Sequence, residues 1–98
     1  MKLNIDQVKE IANKNMRTLE KDYFVKSLGV FGSVAIRENT ESSDIDMLVE
    51  FSKPVGLFKF IKLEDYLSNL MGKNVDLVTK NALKPMIKEE ILQNTIYV

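Results

Sequence analysis

Asp44 and Asp46 stand two apart at the head of an apolar run, Met47 to Val49. In a strand, residues i and i+2 project to one face, so both carboxylates point the same way. Two acids held that close repel each other, and a strand bound for burial gains nothing from them unless a cation or a buried proton lies between. A divalent metal is the simplest reason for the pairing. Upstream, Gly32 and Ser33 close another apolar run, with ten residues between Ser33 and Asp44. A glycine lets backbone come close to a phosphate, and the amides and hydroxyl of Ser33 at a helix start can bind one. Asp76, between Val75 and Leu77, puts a third acid on a later strand. Three carboxylates on neighbouring strands can hold two magnesium ions, one for an attacking oxygen and one for a triphosphate. That is equipment for nucleotidyl transfer.

Each piece is weaker alone. Asp-x-Asp also opens calcium loops, but that pattern needs an oxygen ligand where Leu48 stands and a glycine where Val49 stands. Sugar transferases use the same pair, yet the chain is too short for a nucleotide-sugar fold plus an acceptor site. Gly29-x-x-Gly32 matches neither the dinucleotide fingerprint nor the lysine-bearing phosphate loop. Gly-Ser alone would be an ordinary strand-ending turn, and an acid in a short edge strand such as Asp76 is often only solvated. Lys80 and Arg37 read as surface solubility groups. The combination and its order carry the signal.

Several elements must position these residues. Asn4 and Gln7 have capping-box spacing, with Leu3 and Val8 as a hydrophobic staple, and Val8, Ile11, Ala12, Met16, Leu19 and Tyr23 follow at helical spacing. This predicts a helix over 5–20. Val25 to Phe31 reads as a strand buried on both faces, ended by Gly32. A helical turn or two over Ser33 to Glu38 and a polar loop over Asn39 to Ser43 lead to a strand over Asp44 to Phe51. Leu57, Phe60, Ile61, Leu67 and Leu70 outline a helix stopped by Gly72, with Phe58 on its outer face as a candidate partner contact. Asn74 to Thr79 is a third strand. Pro85 opens a last helix carrying Ile87, Ile91 and Leu92. The order α-β-α-β-α-β-α predicts an α/β or α+β fold, a small mixed sheet flanked by helices, as one domain over 1–98.

Composition prunes the rest. With no histidine, serine-histidine triads, histidine-ligated zinc and histidine acid-base nucleases are excluded within the chain, so catalysis falls to carboxylates, lysines, hydroxyls and metal. With no cysteine there is no disulfide or thiolate site, which fits a cytoplasmic setting. Fourteen basic and fourteen acidic residues cancel, so direct nucleic-acid binding is not expected. The amino terminus lacks a signal-peptide run, and no stretch is apolar enough to span a membrane.

Gly32-Ser33, ten residues, then Asp44-x-Asp46 resembles the signature of minimal nucleotidyltransferases of the DNA polymerase β superfamily, and FGSVA, SDIDMLVEF, GKNVDLVT and LKPMIKEEIL resemble blocks of MntA-type antitoxins, partners of HEPN-domain toxins. The resemblance implies a polymerase β-like nucleotidyltransferase fold. It implies that Asp44, Asp46 and Asp76 are metal ligands for Mg2+, that Asp76 also orients or deprotonates the acceptor hydroxyl, and that Gly32 and Ser33 hold ATP. It further implies an antitoxin of a type VII-like pair that transfers AMP to a hydroxyl, a tyrosine's by preference, on a HEPN ribonuclease toxin. One departure is plain: where the family commonly reads Ala-Arg-Gly, this chain has Ala35-Ile36-Arg37. That departure leans toward a rival reading, a catalytically weak antitoxin that works by binding alone. An oligomeric small-molecule nucleotidyltransferase, with a homodimer supplying the acceptor wall, is a second rival.

Overall fold

The computed structural model describes residues 2–98. Helix α1 spans Ile5–Lys14 and α2 Met16–Tyr23, followed by β1 (Val25–Phe31), α3 (Gly32–Ala35), β2 (Ile45–Phe51), α4 (Leu57–Met71), β3 (Val75–Thr79), a 3-10 turn (Lys80–Ala82), α5 (Pro85–Asn94) and β4 (Ile96–Tyr97). The sheet order is β3-β2-β1-β4, with β2 and β3 parallel and the other pairs antiparallel. The small mixed sheet and its flanking helices are those expected.

The register sorts the strands into two faces. Leu28 faces Val49, Val30 faces Met47, and Met47 faces Leu77 across the parallel pair. These side chains join Val8, Ala12 and Leu19 from α1 and α2, and Leu63, Leu67 and Met71 from α4, in one buried core. The alternate positions, Gly29, Phe31, Asp46, Leu48, Glu50 and Asp76, point to the opposite face. β1 is buried on both faces only in its second half, since Lys26 is exposed.

The single helix over 5–20 is in fact two. The capping box forms as expected: Gln7 N–H donates to the Asn4 side chain at 2.8 Å, and Asn4 N–H to Gln7 Oε1 at 3.0 Å. At Asn15 the chain leaves the helix (φ −110, ψ 9), and its side-chain amide donates to the Ile11 carbonyl at 2.8 Å. A side chain that bonds its own backbone competes with the helical ladder, so α1 ends there and α2 restarts at an offset.

Helix α4 stops at Gly72, which takes the left-handed conformation at φ +66. Its buried stripe differs from the expected one: Leu63, Leu67 and Met71 are inside, while Leu57 and Ile61 are 73% and 44% exposed. Phe60 already packs edge-on to Phe51, the last residue of β2, with ring centroids 6.3 Å apart. The turn before Phe60 therefore projects past the end of the sheet. Phe58 lies fully outside, 84% exposed.

Pro85 is the first residue of α5, yet no α5 side chain is buried; Ile91 and Leu92 are half-buried and Ile87 is exposed. Strand β4 was not anticipated. Two residues are too few for any periodicity, and what admits them is Gly29: a Cβ there would collide with Thr95 Cγ2 and sit 3.3 Å from the Tyr97 ring. The missing side chain of β1 lets the chain close over the sheet, and Val98 N–H donates to the Leu28 carbonyl at 3.0 Å.

Candidate active site

Three strands bring the expected site residues together. β1 ends at Phe31, paired with Asp46 of β2, and Asp46 is in turn paired with Asp76 of β3. The chain leaves β1 through Gly32 at φ +71, a left-handed conformation that side chains disfavour. Space decides the residue as firmly as φ does, because a Cβ on Gly32 would run into the Asp46 carboxylate. The glycine thus serves as the wall against which Asp46 rests. Ser33 follows within α3, half-buried, and its hydroxyl has no hydrogen-bond partner among the described residues.

Asp44 comes from the loop before β2 and is exposed. That loop is fastened at several points. The buried Asn39 side chain donates to the Leu3 carbonyl at 2.7 Å, Thr40 N–H donates to Ser43 Oγ at 2.9 Å, and Ile45 N–H donates to the Asn74 carbonyl at 3.0 Å. Lys73 Nζ bonds the Glu41 carbonyl at 2.5 Å and the Ser43 carbonyl at 3.4 Å. Sequence reasoning passed over Asn39 and Lys73, since neither carries a pattern until the fold brings residues from distant segments together.

Partial burial pushes the Asp46 carboxyl up from the usual aspartate value, and the charges of Asp76 and then Asp44 add to it. The three acids therefore feel one another. Among the described residues, no group of three or more Asp, Glu, His or Cys side chains is gathered so that it could hold a metal ion, so Asp44, Asp46 and Asp76 do not converge as the three ligands expected of them. The donor set nevertheless suits a hard divalent cation: oxygen ligands only, one half-buried and repelled by two neighbours, beside a wall with no side chain. A cation bound there would relieve the repulsion on Asp46.

The position of the unusual Ile36-Arg37 pair is now physical. Arg37 has φ +61, the left-handed conformation that a glycine would hold without strain, and its guanidinium reaches Asp6 at 3.4 Å on the surface. Ile36 is 53% exposed.

At the other end of β2 and β3 lies a feature the sequence did not flag. Glu50 accepts from Ser27 Oγ at 3.2 Å and from Lys80 Nζ at 3.4 Å, and these contacts, Ser27 first, hold its carboxyl below the usual range. Beside them opens a cleft of about 580 Å3 whose walls include Lys53, Thr79, Asn81 and Lys88.

A left-handed glycine at the end of β1, packed against a half-buried aspartate of the neighbouring strand, suits the close approach of a phosphate, and comparison with known proteins gives the class. A nucleotidyltransferase-domain family model matches residues 8–98. MJ0128 of Methanocaldococcus jannaschii, provisionally named a protein adenylyltransferase, is 50% identical over 95 residues, covering 96% of this chain and 97% of that one. The protein adenylyltransferase MntA of Thermococcus cleftensis is 40% identical over 96 residues, covering 98% and 97%. Among solved structures, one provisionally named a minimal nucleotidyltransferase superposes with a TM-score of 0.81 at 30% identity, covering 96% and 95%. A second shares the fold at 18% identity, with a TM-score of 0.64 and coverage of 92% and 70%: a tri-AMPylated HEPN toxin of Shewanella oneidensis in complex with MNT antitoxin. The chain belongs to the nucleotidyltransferase-domain family, among its MntA-type protein adenylyltransferases.

Proposed function

We propose that residues 1–98 work as one minimal nucleotidyltransferase domain that moves AMP from ATP to a hydroxyl of a HEPN-type ribonuclease toxin, as the antitoxin of a type VII-like pair in the cytoplasm. The observation that carries the reading is Asp46, half-buried against Gly32 and repelled by Asp44 and Asp76. Asp44, Asp46 and Asp76 would hold Mg2+. When bound, magnesium supplies positive charge that offsets the triphosphate and favours ionisation of the acceptor hydroxyl. Gly32 and Ser33 hold the triphosphate by close backbone approach and by the free Ser33 hydroxyl.

Asp76 sits on the strand edge away from Gly32, where it can orient the acceptor hydroxyl and take its proton. The acceptor oxygen bonds to the α-phosphorus as the bond to pyrophosphate breaks, and pyrophosphate leaves on the Gly32 side. A tyrosine suits this base better than serine or threonine, because its pKa of about 10 is far lower than theirs. The names of the relatives and the toxin in the structural neighbour support a HEPN toxin as the acceptor protein.

The test is direct. Purified protein, ATP, magnesium and the toxin encoded beside it should yield toxin heavier by AMP, pyrophosphate, and loss of ribonuclease activity. Silencing at unchanged mass would establish the rival, inhibition by binding alone, which the Ile36-Arg37 departure favours. Unchanged mass and unchanged ribonuclease activity would sink the antitoxin assignment altogether.

A further inference from the structure

Asp76 depends on its backbone for its place. Its side chain is exposed and makes no ion pair among the described residues, and it stands on β3, a five-residue strand at the edge of the sheet. In a parallel ladder alternate residues bond the neighbouring strand, and those between turn their N–H and C=O groups away. The Asn74 carbonyl accepts from Ile45 N–H of β2, so Asn74, Asp76 and Val78 turn toward β2 while Val75, Leu77 and Thr79 turn outward. An outward row at a sheet edge meets only water unless another part of the chain covers it.

Helix α4 covers it. Ser68 Oγ accepts from Val75 N–H at 3.0 Å, and Glu64 Oε2 accepts from Leu77 N–H at 2.9 Å. Four residues of helix rise about 6 Å and two residues of strand advance about 6.6 Å, so one helical turn matches one strand repeat and both bonds close together. Asp76 is the residue between the two pinned amides. Leu63 and Leu67 sink the same helix into the core, so the brace is fixed at its base. Glu64 and Ser68 are half-buried, and Val75 and Leu77 are buried, which limits competition from water. A carboxylate acceptor makes the Leu77 bond the stronger of the two. Glu64 makes no ion pair among the described residues, so the amide is the partner the fold gives it. It meets the strand from the helix side, whereas Asp76 projects from the other face with its register partner Asp46.

We propose that Glu64, seconded by Ser68, is a positioning residue for Asp76: the two side chains pin the edge strand so that this carboxylate is presented beside Asp46. The kinetic consequence rests on the transferase reading; the hold on the strand does not.

The test compares wild type with Glu64→Ala, Glu64→Gln and Ser68→Ala, all as full chains. Amide hydrogen exchange in EDTA without nucleotide reads the strand, and AMP transfer to the acceptor with ATP and magnesium reads the site. In Glu64→Ala the Asp76 and Leu77 amides should exchange about tenfold faster or more, while those of Val30 and Met47 in the core keep their wild-type rates. Its kcat should fall about tenfold or more with KM for ATP unchanged, because a displacement of about 1 Å is enough for such a loss. Ser68→Ala should do the same more mildly, through Val75. Glu64→Gln keeps an acceptor oxygen for Leu77 and should bring both readings to within about threefold of wild type. Wild-type exchange at Asp76 in both alanine variants would overturn the proposal whatever the activity. So would a glutamine variant as impaired as alanine, which would assign the effect to the charge, or a KM for ATP that rises as kcat falls. Self-association of Glu64→Ala at wild-type kcat would reduce the pair to a guard of the sheet edge against a second strand. If wild type transfers nothing, the transferase reading has failed on its own, and the hold on Asp76 is judged by exchange alone.

Discussion

Replacing Gly32 by alanine separates what the fold needs from what the chemistry needs. An L-residue at φ +71 pays about 1–2 kcal/mol in local strain, since Cβ crowds the following carbonyl. The collision of the new methyl with Asp46 is different, because what it meets is the carboxylate end of a side chain that can rotate away. Stability should therefore fall by little more than the backbone term. For a chain of this size, a loss of about 1–2 kcal/mol lowers Tm by roughly 5–15 °C. The rotation, however, carries Asp46 off its wall, and a misplaced charge clamp costs about a hundredfold in rate or more. Gly32→Asn tests the division: asparagine tolerates the left-handed region, so it should recover most of the lost Tm and none of the activity. Thermal melts and AMP transfer from labelled ATP measure the two arms. Full transfer by a folded Gly32→Ala variant, or an asparagine variant that regains activity with stability, would refute the claim that Asp46 needs the empty space at Gly32.

Asp46→Asn should raise stability at neutral pH in EDTA while abolishing transfer, because it removes a half-buried charge repelled by Asp76 and Asp44. As the folded pKa is raised, wild-type stability falls as pH rises from the ordinary aspartate range through that raised value. The advantage of the amide should shrink in acid, where the wild-type carboxyl is already neutral, and a flat difference across that range in paired melts would contradict it. Arg37→Gly should be more stable than Arg37→Ala by about 1 kcal/mol: both lose the exposed pair with Asp6, but only glycine relieves φ +61. Denaturant midpoints at equal slope measure that gap, and equal midpoints would show the strain to be absent.

What the sequence disclosed follows from which forces are local. The glycine ending β1, the proline opening α5 and the capping box at Asn4 are decided within a few residues, and each stands where expected. β2, by contrast, begins only at Ile45, so Asp44 lies in the loop before it and does not share a strand face with Asp46. The break at Asn15 was hidden because its apolar neighbours keep helical spacing on both sides; only a side chain turning back onto the Ile11 carbonyl ends the helix. The stripe of α4 was misplaced for a non-local reason, since where burial begins depends on where β2 ends beneath it. β4 depends on Gly29 of β1, the strand beside the one that carries Asp46, and its role exists only once the chain returns to it.

The site divides along the same line. Residue types and spacing marked Gly32, Ser33, Asp44, Asp46 and Asp76 as candidates, and the register places Asp46 and Asp76 side by side with Gly32 against Asp46. Neither pattern nor spacing could mark Lys73, whose hold on the Asp44 loop spans about thirty residues of chain, or the Lys53, Lys80 and Lys88 cleft, assembled from three separate segments. The Ile36-Arg37 pair runs the other way: the sequence showed the exchange, and the structure supplies its cost. A left-handed arginine is a standing strain of about 1 kcal/mol or more that glycine would not carry. An exposed ion pair to Asp6 returns only part of that. The strain falls in the turn that closes the Gly32-Ser33 segment, so on the proposed function relieving it should alter nucleotide affinity as well as the stability of the fold.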